Sequence, residues 1–220
     1  MSRGPYYHDR MMTRPFDDSE TCIETAYALL RSWTRGLFRF DEHVHSLKFV
    51  VAPDGRLVAP VMVAALRTTD TALYIPDDDA PALELLVSLE PFEDEGATPA
   101  MADRWRIHHG SEEDINWTTM DIDMARFSGM VIDGEAMIRG NTFAPDEAML
   151  CRSINQLGDE ALRAMCRSRL SVEVEDPVAV AVDPLGVDVR ARFDVLRLPF
   201  GTPIEDPERV LDIIANWIRG

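Results

Sequence analysis

The chain has 220 residues, 46% of them hydrophobic, enough for one large domain or for a medium and a small one. Its net charge of −17 has no basic stripe to offset it, which argues against nucleic acid and against an anionic membrane as partners. No window of eighteen apolar residues is present to span a bilayer, and Cys22, Cys151 and Cys166 form no C-x-x-C pair, so a reducing cytoplasm fits and a disulfide framework does not.

Residues 1–18 have no apolar core of a secretory signal and read as a flexible arm. Ser19 to Trp33 follows, with Ile23, Ala26, Tyr27, Leu30 and Trp33 at helical spacing and an Asp17/Glu20 capping box; the helix should end before Gly36. A β-rich stretch comes next. In FVVAPDGRLVAPVM (Phe49 to Met62) two apolar runs flank Pro53-Asp54-Gly55, which predicts a hairpin. Leu57 to Leu66 is apolar enough for a strand buried on both faces. Thr71 to Ile75 reads as a short strand, and Leu83 to Leu89 fits helix or strand. Arg104 to His108 and Ile115 to Ile122 are expected as strands. Phe127–Ile132 and Glu135–Ile138 are expected to pair about Asp133-Gly134 in a type I′ hairpin. Strands this closely spaced suggest a barrel.

The pattern changes after Phe143. Pro145 opens a helical stretch that runs with breaks to Arg169. Val178–Val182, Val187–Arg192 and Val195–Leu198 then predict an antiparallel meander. Asp206-Pro207 caps a last helix with Val210, Ile213, Ile214 and Trp217 as its apolar stripe. The expected organisation is therefore an arm (1–18), a β-rich domain (19–142) and a small ααβββα domain (143–220).

The order INQLGDEAL (Ile154 to Leu162), AVAVDPLGVDVR (Ala179 to Arg190) and LRLPFGTPIEDPE (Leu196 to Glu208) resembles the small C-terminal domain of heme-utilisation (HugZ-type) proteins. That domain is similar to part of the plastid glutamyl-tRNA-reductase-binding protein. Asn155, Ala161, Leu162, Asp183, Gly186, Asp188, Arg190, Arg197, Pro199 and Phe200 match its pattern. In such proteins it follows a split β-barrel of the pyridoxamine 5′-phosphate oxidase type. FVVAPDGRLVAPVM resembles that barrel's first hairpin, ALYIP (Ala72 to Pro76) its third strand and LLVSLEP (Leu85 to Pro91) a later segment. The resemblance implies an α+β chain, an FMN-binding-type split β-barrel followed by the small domain, and a homodimer.

Two departures bear on function. The family's histidine in the first helical motif falls on Gly158. Relatives that bind FMN or heme carry a basic segment after the third strand, whereas here it is DDDAPALELL (Asp77 to Leu86). A like-charge contact at about 4 Å costs roughly 1 kcal/mol in water and about 4 kcal/mol near a protein surface. From Thr68 to Asp103 there are ten Asp/Glu and no Lys or Arg, a solvated acidic face or a docking surface for a basic protein.

No Gly-rich phosphate loop and no G-x-S-x-G elbow is present. His43-Val44-His45 places two imidazoles on one strand face, but no third ligand follows in sequence, so no metal site is expected. RWRIHHG (Arg104 to Gly110) offers a set that heme or FMN could use. His108 or His109 would be an axial ligand, Arg104, Arg106 and Arg67 would meet anionic groups, and Trp105 would pack against the ring. The alternative is an ordinary strand. Asp183 and Asp188 are expected in a turn and at a strand end rather than in catalysis. Two functions remain: a split-barrel homodimer without flavin chemistry that acts through protein contacts, linked to tetrapyrrole metabolism; or a heme- or FMN-binding oxidoreductase.

Overall fold

The computed structural model describes residues 19–77, 82–94, 99–112 and 115–219. The expected arm 1–18, the Asp17 cap and two aspartates of the acidic segment, Asp78 and Asp79, lie outside the described residues. The chain divides into two compact units, Ser19–Asn141 and a second that begins at Thr142.

The first unit opens with α1 (Ser19–Arg31), which buries Cys22, Ala26 and Leu30 at intervals of four. The strands are β1 (Arg35–Phe40), β2 (His43–Lys48), β3 (Val50–Val51), β4 (Leu57–Val61), β5 (Thr71–Ile75), β6 (Leu83–Pro91), β7 (Asn116–Phe127) and β8 (Met130–Asp133), with α2 (Pro99–His109) between β6 and β7. Seven strands run in the order β2-β1-β5-β6-β7-β4-β3, every neighbouring pair antiparallel, and β8 joins β7. The two end strands of that path, β2 and β3, are separated in sequence by Phe49 alone. A flat seven-strand sheet would hold its edges nearly 30 Å apart, at roughly 4.8 Å per strand. One residue cannot span that, so the sheet must curl on itself. β7 pairs with β6 along one edge; its other edge is shared by β4 (Val61↔Asn116 to Leu57↔Met120) and β8 (Met124↔Asp133 to Phe127↔Met130). The result is a split barrel.

The opening hairpin forms as expected. Ala52 N–H donates to Arg56 O, Gly55 N–H donates to Ala52 O, and Val51 faces Leu57. Pro53-Asp54-Gly55 is thus a three-residue loop with its last residue left-handed (φ 96°), a form that glycine takes without strain.

Three local expectations are corrected. Arg104–His108 lies in helix α2, not in a strand. Alternating Trp105 and Ile107 suggested a period of two, but Ala102 and Trp105 are buried one helical turn apart while Ile107 is exposed. The strand after the first hairpin stops at Val61; Met62 and Val63 are exposed and a 3-10 turn, Ala65–Arg67, follows. The late hairpin turns at Ser128-Gly129 (φ 50° and 81°), not at Asp133-Gly134, where Asp133 accepts the Glu135 N–H and caps a 3-10 turn.

The second unit has the expected ααβββα order: α3 (Glu147–Asn155), α4 (Asp159–Leu170), β9 (Val178–Asp183), β10 (Gly186–Arg190), β11 (Val195–Pro199) and α5 (Arg209–Arg219). Asp206 accepts the Glu208 N–H ahead of α5, whose Val210 and Ile214 enter the core with Ile213 and Trp217 beside them. β9 is an edge strand, and α3 supplies what a neighbouring strand would. The Asn155 amide bonds both the N–H and the C=O of Ala179 (2.8 and 2.9 Å), and Glu147 accepts the Val182 N–H. Arg197 lies 4% exposed between Asp183 and Asp188, bonded to both carboxylates. Asp183 also accepts the N–H groups of Leu185 and Gly186 and so closes the β9–β10 turn. Most residues that match the small-domain pattern at polar positions therefore hold edges, turns and one buried ion cluster.

Candidate functional site

The residues nominated from RWRIHHG sit on α2, which packs outside the barrel on β3 and β4. Trp105, Ala102, Val50, Ala52, Val58 and Trp117 form one buried cluster there. Three α2 side chains donate to backbone carbonyls around the single-residue β2–β3 joint. Trp105 Nε1 bonds Lys48 O (3.0 Å), His109 Nε2 bonds Phe49 O (3.0 Å) and Arg104 Nε bonds Val51 O (2.9 Å). The joint needs such donors because a strand that ends and restarts within one residue leaves carbonyls outside any ladder. α2 is thus a clamp on the point where the barrel closes.

The rest of the set is arranged as follows. Arg106 is bonded to Asp94 and to Asp103, with its guanidinium 5.2 Å from the Trp117 ring centre. His108 is buried and its Nδ1 lies 2.8 Å from Arg104 O, one helical turn back. Arg67 lies apart, exposed in the 3-10 turn after β4, with no bond to the α2 residues among the described residues. The fold therefore brings Arg104, Trp105, Arg106, His108 and His109 onto one helix. Spacing in the sequence could not show where their donors point.

A carbonyl can only accept, so His109 Nε2 carries a proton and donates it to Phe49 O. Burial pushes its pKa down to about 4, and the positive charges of His108, Lys48 and Arg35 add to that against the opposing effect of the Phe49 bond. The unfolded value is near 6.5, so between these limits the unfolded chain binds more protons. Stability is then full above pH 6.5 and falls as the pH drops towards 4, by up to about 3 kcal/mol from this group. The urea midpoint of the wild type should drop over that window, and His109→Gln, which keeps a neutral donor, should flatten the drop. Equal acid sensitivity in the two proteins would show that His109 is not its source.

On the outer face, Arg39 forks onto Asp70 (3.0 Å to each oxygen) and reaches Tyr74, which bonds Glu84, which in turn pairs with Arg126. Registered neighbours on β1, β5, β6 and β7 place these groups in one ladder. Asp77 accepts from Ser46 at 3.3 Å. On the inner face, Phe38 and Phe40 of β1 stand opposite His45 and His43 of β2. Among the described residues no three His, Cys, Asp or Glu side chains converge as a metal-binding set, and no helix is long and apolar enough to cross a membrane.

Among solved structures, the chain is similar to a protein of unknown function from Agrobacterium tumefaciens, with 15% identity, 92% of this chain and 97% of that chain covered, and a TM-score of 0.68. A heme binding protein from Mycobacterium smegmatis aligns at 16% identity over 94% of this chain and 97% of its own, with a TM-score of 0.44. A candidate pyridoxamine 5′-phosphate oxidase from Listeria innocua aligns at 15% identity over 49% and 98%, with a TM-score of 0.38. The first of these likenesses shows the fold. No family model and no curated protein matches the chain.

Proposed function

We propose that this chain is a cytoplasmic split-barrel binding protein that works as a homodimer through protein contacts, without the flavin chemistry of pyridoxamine 5′-phosphate oxidase-like barrels. Its small unit is read as a HugZ-type domain, which ties the protein to tetrapyrrole metabolism. The observation that carries the reading is the occupation of the α2 donors. Arg104 Nε, Trp105 Nε1 and His109 Nε2 bond backbone carbonyls, and Arg106 is bonded to two carboxylates. An anionic phosphate or propionate needs charge-assisted donors, and drawing these away would break the clamp on the barrel joint. The acidic sequence around Asp77 opposes such a ligand as well.

Titration of the purified full chain with FMN and with hemin, followed by absorbance, tests this. The expected result is no saturable binding of either and a light-scattering mass of two chains. Stoichiometric FMN or a Soret band that persists through gel filtration would overturn the reading in favour of a heme- or FMN-binding oxidoreductase. Arg67→Ala would then report whether the exposed guanidinium holds the ligand.

A further inference from the structure

β2 stands at one end of the strand path and is paired to β1 alone. Its register sets His45 against Phe38 and His43 against Phe40, and both phenylalanines are buried. The His45 ring centre lies 5.7 Å from that of Phe38 and 5.9 Å from that of Phe40, nearly perpendicular to each. His45 Nδ1 is buried and has no hydrogen-bond partner among the described residues. A bare nitrogen there lacks a donor, and an N–H would lack an acceptor. Water is a poor remedy, because a buried water needs two to four polar partners and the neighbours are phenyl rings. Thr71, opposite Phe40, has already given its hydroxyl to Val87 O.

Protonation of His45 would bring a full charge into this setting, and no described carboxylate meets it. β4, which lies against β2 where the barrel closes, carries no titratable side chain. On β5, Leu73 faces Phe38 and Thr71 faces Phe40. Asp77 is bonded to Ser46, on the opposite face of β2, and Asp41, in the β1–β2 turn, is bonded to Thr68. The charge that acts on His45 is that of His43, of the same sign.

We propose that β2 is an acid-released edge strand, with His45 as the group whose protonation loosens it from β1. Burial first, and then the charge of His43, hold the His45 pKa below the ordinary 6.5. The unfolded strand therefore binds the proton more readily than the paired one. The contribution of His45 to pairing is full above pH 6.5 and is lost as the pH falls through the lowered value. β2 yields before the central strands because it has one strand partner where they have two. Its release would bare the backbone edge of β1 and the rings of Phe38 and Phe40.

The test is amide hydrogen exchange of the full chain between pH 7 and pH 5, corrected for the intrinsic rate, with NMR titration of the His45 imidazole in the wild type. Exchange is compared in His109→Gln and in His109→Gln/His45→Phe, so that the α2 clamp does not contribute and the ring packing is kept. The expected result is a His45 pKa below 6.5 and a loss of protection in β1 and β2 of at least about fivefold on acidification, ahead of β6 and β7, in the single variant only. A His45 pKa at or above 6.5, as when the cation rests on a phenyl face, would overturn the proposal. So would protection in β2 that is unchanged by acid, or that is lost equally when His45 is phenylalanine.

Discussion

Replacing Arg197 with methionine is expected to destabilise the small unit by about 3–5 kcal/mol, enough to abolish its cooperative folding. The reason is the pair of carboxylates left behind. Asp183 and Asp188 are 7% and 8% exposed, and Arg197 bonds both. Burial alone would lower the Arg197 pKa, but the two negative charges more than offset this and raise it, so the guanidinium stays charged. Without it, two like charges would remain in a site of low dielectric. Adding Asp188→Leu and Asp183→Asn to the methionine variant should recover most of the loss. Asparagine keeps an oxygen for the Leu185 and Gly186 N–H groups, and an apolar replacement of a buried ion cluster is often neutral. Chemical denaturation followed by circular dichroism reads both steps. A single Arg197→Met variant as stable as the wild type would show that the cluster does not hold the unit together.

The second large effect concerns the two Asp-Gly pairs of the barrel, which look alike in sequence and differ in space. A Cβ at Gly134 would lie 1.7 Å from Ile122 O and 2.6 Å from Ile122 C, all backbone of β7. A Cβ at Gly55 would lie 2.6–2.7 Å from the backbone of Arg139, and Gly55 has in addition a positive φ. Backbone cannot rotate away as a side-chain tip can. Gly134→Ala should therefore cost at least about 3 kcal/mol, and Gly55→Ala a comparable amount from overlap and strain together. Thermal melts of the two variants test this. The outcome that would sink the argument is a Gly134→Ala midpoint within a degree or two of the wild type.

Those two pairs also show why part of the fold was legible and part was not. Asp54-Gly55 lies between apolar runs and is a turn, as read. Asp133-Gly134 carries the same local signal, yet the chain turns earlier, at Ser128-Gly129, because β7 needs its full length to pair with β6. β1 was not anticipated at all, although Gly36-Leu37-Phe38-Arg39-Phe40 alternates cleanly between half-buried and buried positions. It begins a few residues after α1, and Gly36 was read there only as the stop signal of that helix.

Local chemistry was enough to determine what each stretch prefers by itself: the helical face of α1, the first hairpin, the ααβββα order and the cap of α5. These depend on contacts a few residues apart, so spacing carries them. The sequence also pointed to RWRIHHG as a group, since five polar and aromatic residues there are adjacent. Only the tertiary structure decided what they do. Helix or strand at Arg104–His109 turned on whether Trp105 had a cluster to enter, and that cluster is built from Val50, Val58 and Trp117, which are distant in sequence. The donors of α2 then go to the carbonyls of Lys48, Phe49 and Val51, because the closing of a curled sheet leaves those groups unpaired, a need that arises only once the barrel exists.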